Sequence, residues 1–195
     1  LILINSHPNC LDPDHALIRH PRQRHTMKTL GIAGYSGSGK TTLIEQLLPL
    51  LNDAGLKVSV IKQSHHDIQV DVNGKDSWRH RQAGAQETLL TSPQRWMLVG
   101  ELRGADEPSL ETHLARLSPC DLVLVEGYKH ADLPKLEVWR AANGKPWLHP
   151  DDVRYIALAA DDYATAPQLH GNQPARLDLN QPASIAAFIL NWLRR

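Results

Sequence analysis

The sequence predicts an α/β domain with a mainly parallel sheet flanked by helices and an antiparallel strand addition, and three observations carry that expectation. Apolar runs of strand length alternate with segments of helical spacing along most of the chain. A glycine-rich turn joins the first such strand to the first such helix. A continuous run, Leu122-Val-Leu-Val125, reads as a strand buried on both faces, as parallel sheets require.

Taken in order, Thr29 to Ala33 is a short apolar run, Thr41 to Leu51 carries apolar residues at helical spacing, and Lys57 to Ile61 turns to β-branched residues. Together they form a β-α-β unit, with Gly55 suited to the left-handed cap that closes the helix. Asp76 to Ala83 reads as a short helix, with Asp76 or Ser77 as its N-cap. Glu87 to Thr91, Arg95 to Val99 and Leu136 to Trp139 read as strands, the middle hairpin supplying the antiparallel addition. Glu111 to Leu117 is helix-like, Ile156 to Ala160 is a further strand, and Pro182 opens a terminal helix through Arg194.

With 195 residues, the chain is long enough for one domain that buries roughly 70% of its unfolded surface. Residues 1–26 differ from the rest: prolines 8, 13 and 21 and histidines 7, 15, 20 and 25 interrupt any periodicity. They read as a disordered or non-native extension, and the nucleotide-binding domain is expected to span residues 27–195. Lys plus Arg and Asp plus Glu both number 21, so the whole chain lacks the cationic excess of a non-specific nucleic-acid binder. The five tryptophans are scattered, which favours packing or interface roles over a base-stacking platform. Apolar stretches fall well short of the roughly 20 residues that span a bilayer, so no membrane span is expected. Cys10 and Cys120 form neither a disulfide framework nor a zinc pattern, which fits a cytoplasmic protein.

The chemistry concentrates in Gly34-Tyr-Ser-Gly-Ser-Gly-Lys-Thr41, a match to G-x-x-x-x-G-K-[ST] between a strand and a helix. This makes the fold expectation specific: a P-loop NTPase type. Glycines let the backbone amides wrap around phosphate oxygens, and the following helix directs its positive end at them. Gly34, Ser36, Gly37, Ser38, Gly39, Lys40, Thr41 and Thr42 are therefore the expected nucleotide contacts. Lys40 would reach the β and γ phosphates, and Thr41 would offer its hydroxyl to Mg²⁺.

Glu126 ends the buried strand run at the edge where open α/β sheets bind ligands. It is expected to hold a metal-bound water or position an attacking water, the alternative being a structural carboxylate capping the next turn. Lys129 is equally a phosphate contact or a solvated residue. Lys62-Gln-Ser-His-His-Asp67 leaves another strand, and Asp67 is the best general-base or metal-water candidate there. His65 and His66 read as nucleotide or partner contacts, as metal ligands, or as a structural pair. Gly74 to Arg81 reads either as a cationic face or as an ordinary helix start.

These motifs, with Ala83-Gly-Ala85 and Gln94-Arg-Trp96, and Leu124-Val-Glu-Gly-Tyr-Lys129, occur in an order that resembles the MobB family of adaptors in molybdopterin-guanine dinucleotide biosynthesis. The resemblance runs from about Met27 to the C-terminus. It implies GTP and Mg²⁺ as cofactors, slow GTP hydrolysis at most, and a homodimer. It also implies that the protein assists the guanylyltransferase that attaches GMP to molybdopterin, with molybdopterin itself a further possible contact. Lys62, His65, His66 and Asp67 carry over as site residues. Guanine preference comes from the resemblance alone, because no N-K-x-D motif is present; Asn73-Gly-Lys-Asp76 has the letters in another order. Asp161 or Asp162, after the strand at Ile156 to Ala160, could accept from a guanine edge or be a plain turn carboxylate. Two rival readings use the same loop: a small-molecule kinase relying on Arg79, Arg81 or Arg103, and a metallochaperone GTPase delivering a metal through His65 and His66.

Overall fold

A computed structural model describes residues 27–64, 66–148, 152–168 and 173–195. The expectation for residues 1–26 lies outside the described residues. Six parallel strands form the main sheet: β1 (Lys28–Ala33), β2 (Val58–Lys62), β5 (Leu122–Glu126), β6 (Lys135–Trp139), β7 (Tyr155–Ala160) and β8 (Ala175–Asp178). Their spatial order is β2-β5-β1-β6-β7-β8. Because all six run the same way, the exits of β1, β2, β5, β6, β7 and β8 lie along one edge, and every candidate side chain that follows a strand is delivered there.

Helices α1 (Lys40–Asp53) and α4 (Pro182–Leu193) pack against each other and the sheet. Leu43, Ile44, Leu47 and Leu51 form the inward stripe of α1, and Ile185, Ala186 and Ile189 that of α4. They join Leu30, Ile32, Leu122, Leu124, Leu136 and Val138 in the principal core. Gly55, at φ +87°, ends α1 as expected: its N–H donates to Asn52 O, and the N–H of Leu56 donates to Leu51 O, the paired bonds of a Schellman cap. On the other sheet face, α3 (Leu110–Arg116), capped by Ser109 Oγ accepting from Thr112 N, covers Val123 and Val125.

The antiparallel strands β3 (Glu87–Thr91) and β4 (Trp96–Gly100) pair with each other as a separate two-stranded sheet instead of extending the main one. The strand expected at Leu136 to Trp139 is present and begins one residue earlier, as the interior parallel strand Lys135–Trp139 whose five residues are all buried. One strand is new. Ala175–Asp178 is four residues long and only alternately shielded, so it lacks the apolar run that marks the interior strands. Helix α2 (Asp76–Gln82) begins at Asp76 as expected, but its N-cap lies one residue earlier than expected: Lys75 occupies that position without a side-chain bond, and Asp76 lies in the first turn.

Candidate functional site

The glycine-rich loop emerges from β1 between the exits of β5 and β6. Gly34, Gly37 and Gly39 have φ of +146°, +79° and +94°, a left-handed sequence closed to most side chains. At Gly34 space is as restrictive as φ: a Cβ would lie 2.5 Å from Val138 O and 2.7 Å from Ser38 Oγ. The loop feeds directly into α1, where Leu43 N donates to Gly39 O at 2.9 Å.

Lys40 folds over the loop, its Nζ donating to Gly34 O at 3.0 Å and Tyr35 O at 2.9 Å. An ammonium has three donors, so this posture leaves one for an anion. Burial pulls Lys40 below the ordinary lysine value, Glu126 opposes that shift, and Lys62 adds to it. Ser38 is buried and, among the described residues, its Oγ has no hydrogen-bond partner. An orphaned hydroxyl inside a ring of amides suits a phosphate oxygen.

Glu126 is 8% exposed and sits in register with both Ile32 of β1 and Lys62 of β2. Its Oε1 accepts from Thr41 Oγ1 at 3.0 Å, and its Oε2 lies 3.6 Å from Lys62 Nζ. Residues 126, 41 and 62, far apart in the chain, thus converge beside the loop. A hydroxyl and a carboxylate are hard oxygen donors, and this pair suits Mg²⁺, which completes its shell with water and phosphate oxygens.

The segment after β2 is held close to this group by Gln63. Its N–H donates to Glu126 O at 2.9 Å, its Oε1 accepts from Tyr128 N at 3.0 Å, and its Nε2 donates to Glu107 Oε1 at 3.1 Å. Gly127, at φ +99°, is required by that approach, since a Cβ would meet Gln63 Cβ at 2.8 Å. Beyond Gln63 the chain turns outward. Asp67 is exposed and its Oδ1 accepts from Ile68 N at 2.9 Å, while His66 makes a local turn with Ser64. Neither residue makes a hydrogen bond to Thr41, Lys40 or Glu126 in this arrangement. His65 lies outside the described residues. Ser36 and Gly37 are exposed on the loop, and Thr42 faces outward from the first turn of α1.

The arginines of the middle region have structural work. Arg81 ion-pairs with Asp71 at 2.5 Å and with Glu101, its side chain 14% exposed. Arg103 donates to Arg81 O at 2.7 Å and Ala85 O at 3.0 Å. Two cations that a phosphoryl-transfer reading needs are therefore engaged in joining α2 to the hairpin, and the cationic face expected at Gly74 to Arg81 is largely neutralised. Arg79 is exposed and, among the described residues, ion-pairs only with Asp76, at 3.8 Å.

Sequence reasoning missed Arg140, at the exit of β6. Its Nε approaches Ser38 O at 3.4 Å and its Nη1 approaches Asp161 Oδ2 at 3.4 Å. A Cβ on Gly39 would lie 3.0 Å from Arg140 Nη2, so this guanidinium borders the loop directly. Its position after an apolar strand was the available signal, the same one that marked Glu126 and Lys62.

The family model described as molybdopterin guanine dinucleotide synthesis protein B matches residues 29–161. A molybdopterin-guanine dinucleotide biosynthesis adapter protein of Haemophilus influenzae is 42% identical over 167 residues, covering 84% of this chain and 88% of that protein. The protein of the same name from Escherichia coli is 37% identical over 169 residues, covering 85% and 93%. A crystal structure of molybdopterin-guanine biosynthesis protein B superposes with a TM-score of 0.61 at 26% identity, covering 84% of this chain and 99% of the other. With the sheet order, the phosphate loop and the Thr41-Glu126-Lys62 group already in hand, these matches establish that the chain belongs to the MobB family.

Proposed function

We propose that this protein acts in molybdopterin-guanine dinucleotide biosynthesis as a GTP-binding adaptor for the guanylyltransferase, working in the cytoplasm as a homodimer and contacting the molybdopterin substrate of that enzyme. The observation that carries the nucleotide part is the convergence of Thr41 Oγ1, Glu126 and Lys62 beside a loop of left-handed glycines and an orphaned Ser38 hydroxyl. The names of the relatives support the pathway and the adaptor role.

In this reading the amides of residues 37–42 hold the phosphates, with Lys40 supplying the charge. Thr41 and Glu126 would hold Mg²⁺, which when bound would neutralise phosphate charge. Lys62 offsets the Glu126 carboxylate and limits the charge that the metal must balance. Asp67, on an exposed segment, is assigned to the water or metal-water role, so hydrolysis depends on that segment moving inward. An exposed base hydrogen-bonded only to its own turn suits slow turnover at most, and nucleotide occupancy, not product, is the adaptor's output. His65 and His66 adjoin Asp67 in sequence and are assigned to nucleotide or partner contact. The kinase alternative is disfavoured by the engagement of Arg81 and Arg103 within the fold.

The hairpin supports the homodimer. Leu89, Trp96 and Leu98 are 60%, 63% and 46% exposed, a density of apolar side chains that marks an interaction surface.

The test is calorimetric titration of GTP with and without Mg²⁺ into wild type and Glu126→Gln, alongside guanylyl transfer to molybdopterin by the transferase with and without this protein. Magnesium-dependent GTP binding weakened in Glu126→Gln, with stimulated transfer, is expected. An unchanged magnesium response in the variant removes Glu126 from the site. Stoichiometric phosphorylation of a small metabolite would replace the adaptor by a kinase.

A further inference from the structure

Thr41, Glu126 and Lys62 all lie on the β5 and β2 side of β1. If the metal-binding end of a triphosphate lies there, the nucleoside must leave the loop on the opposite side, over the exits of β6, β7 and β8. A cavity of about 220 Å³ occupies that place, bounded by Gly39, Thr42, Leu43, Arg140, Leu179 and Asn180. Leu43 and Leu179 provide it with an apolar floor, and both are buried in the principal core.

Arg140 and Asn180, after β6 and β8, give the cavity its polar side, and Asp161 after β7 ties both in place from behind. Asp161 Oδ1 accepts from Ala141 N at 2.8 Å, its Oδ2 faces Arg140 Nη1 at 3.4 Å, and its carbonyl accepts from Asn180 Nδ2 at 3.3 Å. Both carboxylate oxygens of Asp161 are thus turned to the protein. The guanidinium of Arg140 is held between Asp161 and Ser38 O, and with five N–H donors it retains donors beyond those two contacts.

We propose that this cavity is the nucleobase pocket and that Arg140 is its specificity-determining residue, donating to the O6 and N7 acceptors of a 6-oxopurine. The proposal deepens the GTP-binding reading and rests on it. An arginine fork matches the paired acceptors on that edge, whereas adenine presents a 6-amino donor that an all-donor guanidinium repels. Asp161 acts through Arg140 as a positioning residue and does not touch the base. A reader of this kind does not require the purine 2-amino group, so guanine and hypoxanthine nucleotides are equivalent to it.

Competition calorimetry with the full chain and Mg²⁺ tests this, using GTP, ITP, ATP and inorganic tripolyphosphate. Wild type is expected to bind GTP and ITP alike and ATP more weakly, by roughly tenfold to a hundredfold, the range of a bidentate arginine contact. In Arg140→Met the GTP to ATP ratio should fall toward one while tripolyphosphate binding persists. Arg140→Lys provides a second variant that keeps the charge, with selectivity again reduced. Asp161→Asn should lower selectivity part of the way.

Equal weakening of GTP and ATP in Arg140→Met overturns the proposal, because Arg140 would then be a phosphate contact. So does an unaltered ratio, or a wild type indifferent to the base. A wild type that binds tripolyphosphate without base preference defeats this inference and spares the loop assignment. Failure to bind tripolyphosphate as well removes both.

Discussion

The parallel sheet and the α2-β3-β4 arm are stabilised in opposite ways. In the sheet, Leu30, Ile32, Leu122, Leu124 and Leu136 are fully buried, and apolar contact on both faces sets the geometry of the edge that carries the site. In the arm, β3 and β4 alternate between half-buried and exposed residues, with Leu89 and Leu98 among the exposed. Its internal ties are polar: Arg81 joins Asp71, before α2, to Glu101, after β4, and Arg103 ties the next turn to α2. A loop whose backbone amides are proposed to hold phosphate gains from a closely packed support. The arm, tied internally by ion pairs, instead turns Leu89, Trp96 and Leu98 toward solvent.

The largest effect that can break this contrast is in the core. Leu47→Ala removes a fully buried side chain from α1 and should cost about 2–5 kcal/mol in urea unfolding. The phosphate loop should fail with it, since its backbone continues into the same helix.

Next is Lys40→Ala, which should weaken GTP binding by about 1.5–3 kcal/mol, the scale of a charge-assisted contact. Unfolding by urea should change far less. Equal loss of binding and stability would mean that the two carbonyls bonded to Lys40, not a nucleotide, are its main partners.

The arm supplies a pH test. The hydrogen bond from Arg81, assisted by one from Ser77, holds the Asp71 carboxyl below its ordinary 3.8 despite burial. A depressed folded value contributes stability above the unfolded value and loses it as pH falls through the folded one. Wild type and Asp71→Asn should therefore differ in urea midpoint at neutral pH, with the difference shrinking as pH falls below 3.8 and vanishing only below the depressed folded value, where Asp71 is protonated in the native state as well. Curves that stay parallel into acid would show that the ion pair does not stabilise the arm.

The smallest expected effect is in Leu98→Ser. At an exposed position it should alter monomer stability by no more than about 0.5 kcal/mol. If the proposed homodimer forms through this face, sedimentation should nevertheless shift toward the monomer in the variant, and sedimentation identical to wild type would remove the hairpin from that proposal.

Legibility in the sequence followed the same division. The phosphate loop is contiguous, and Glu126 and Lys62 each follow an apolar run, so local pattern was enough to put them at one edge. The partners of Arg81 lie 10 and 20 residues away, and Asp161 lies 21 residues beyond Arg140, across an intervening loop. No local periodicity encodes such pairings. The β3-β4 alternation was readable, but alternation specifies which face is apolar and not what that face packs against, so its detachment from the main sheet was invisible. Strand β8 was missed because a short edge strand needs little apolar side chain.

The sequence by itself determined the elements and the chemistry of the loop, because backbone sterics at glycine and the spacing of apolar residues act over a few positions. Only the tertiary structure decided that Thr41, Glu126 and Lys62 meet, and that Arg140 borders the same loop from the other side. Strand order and register bring those groups together, and both are set by long-range packing of the sheet against its helices.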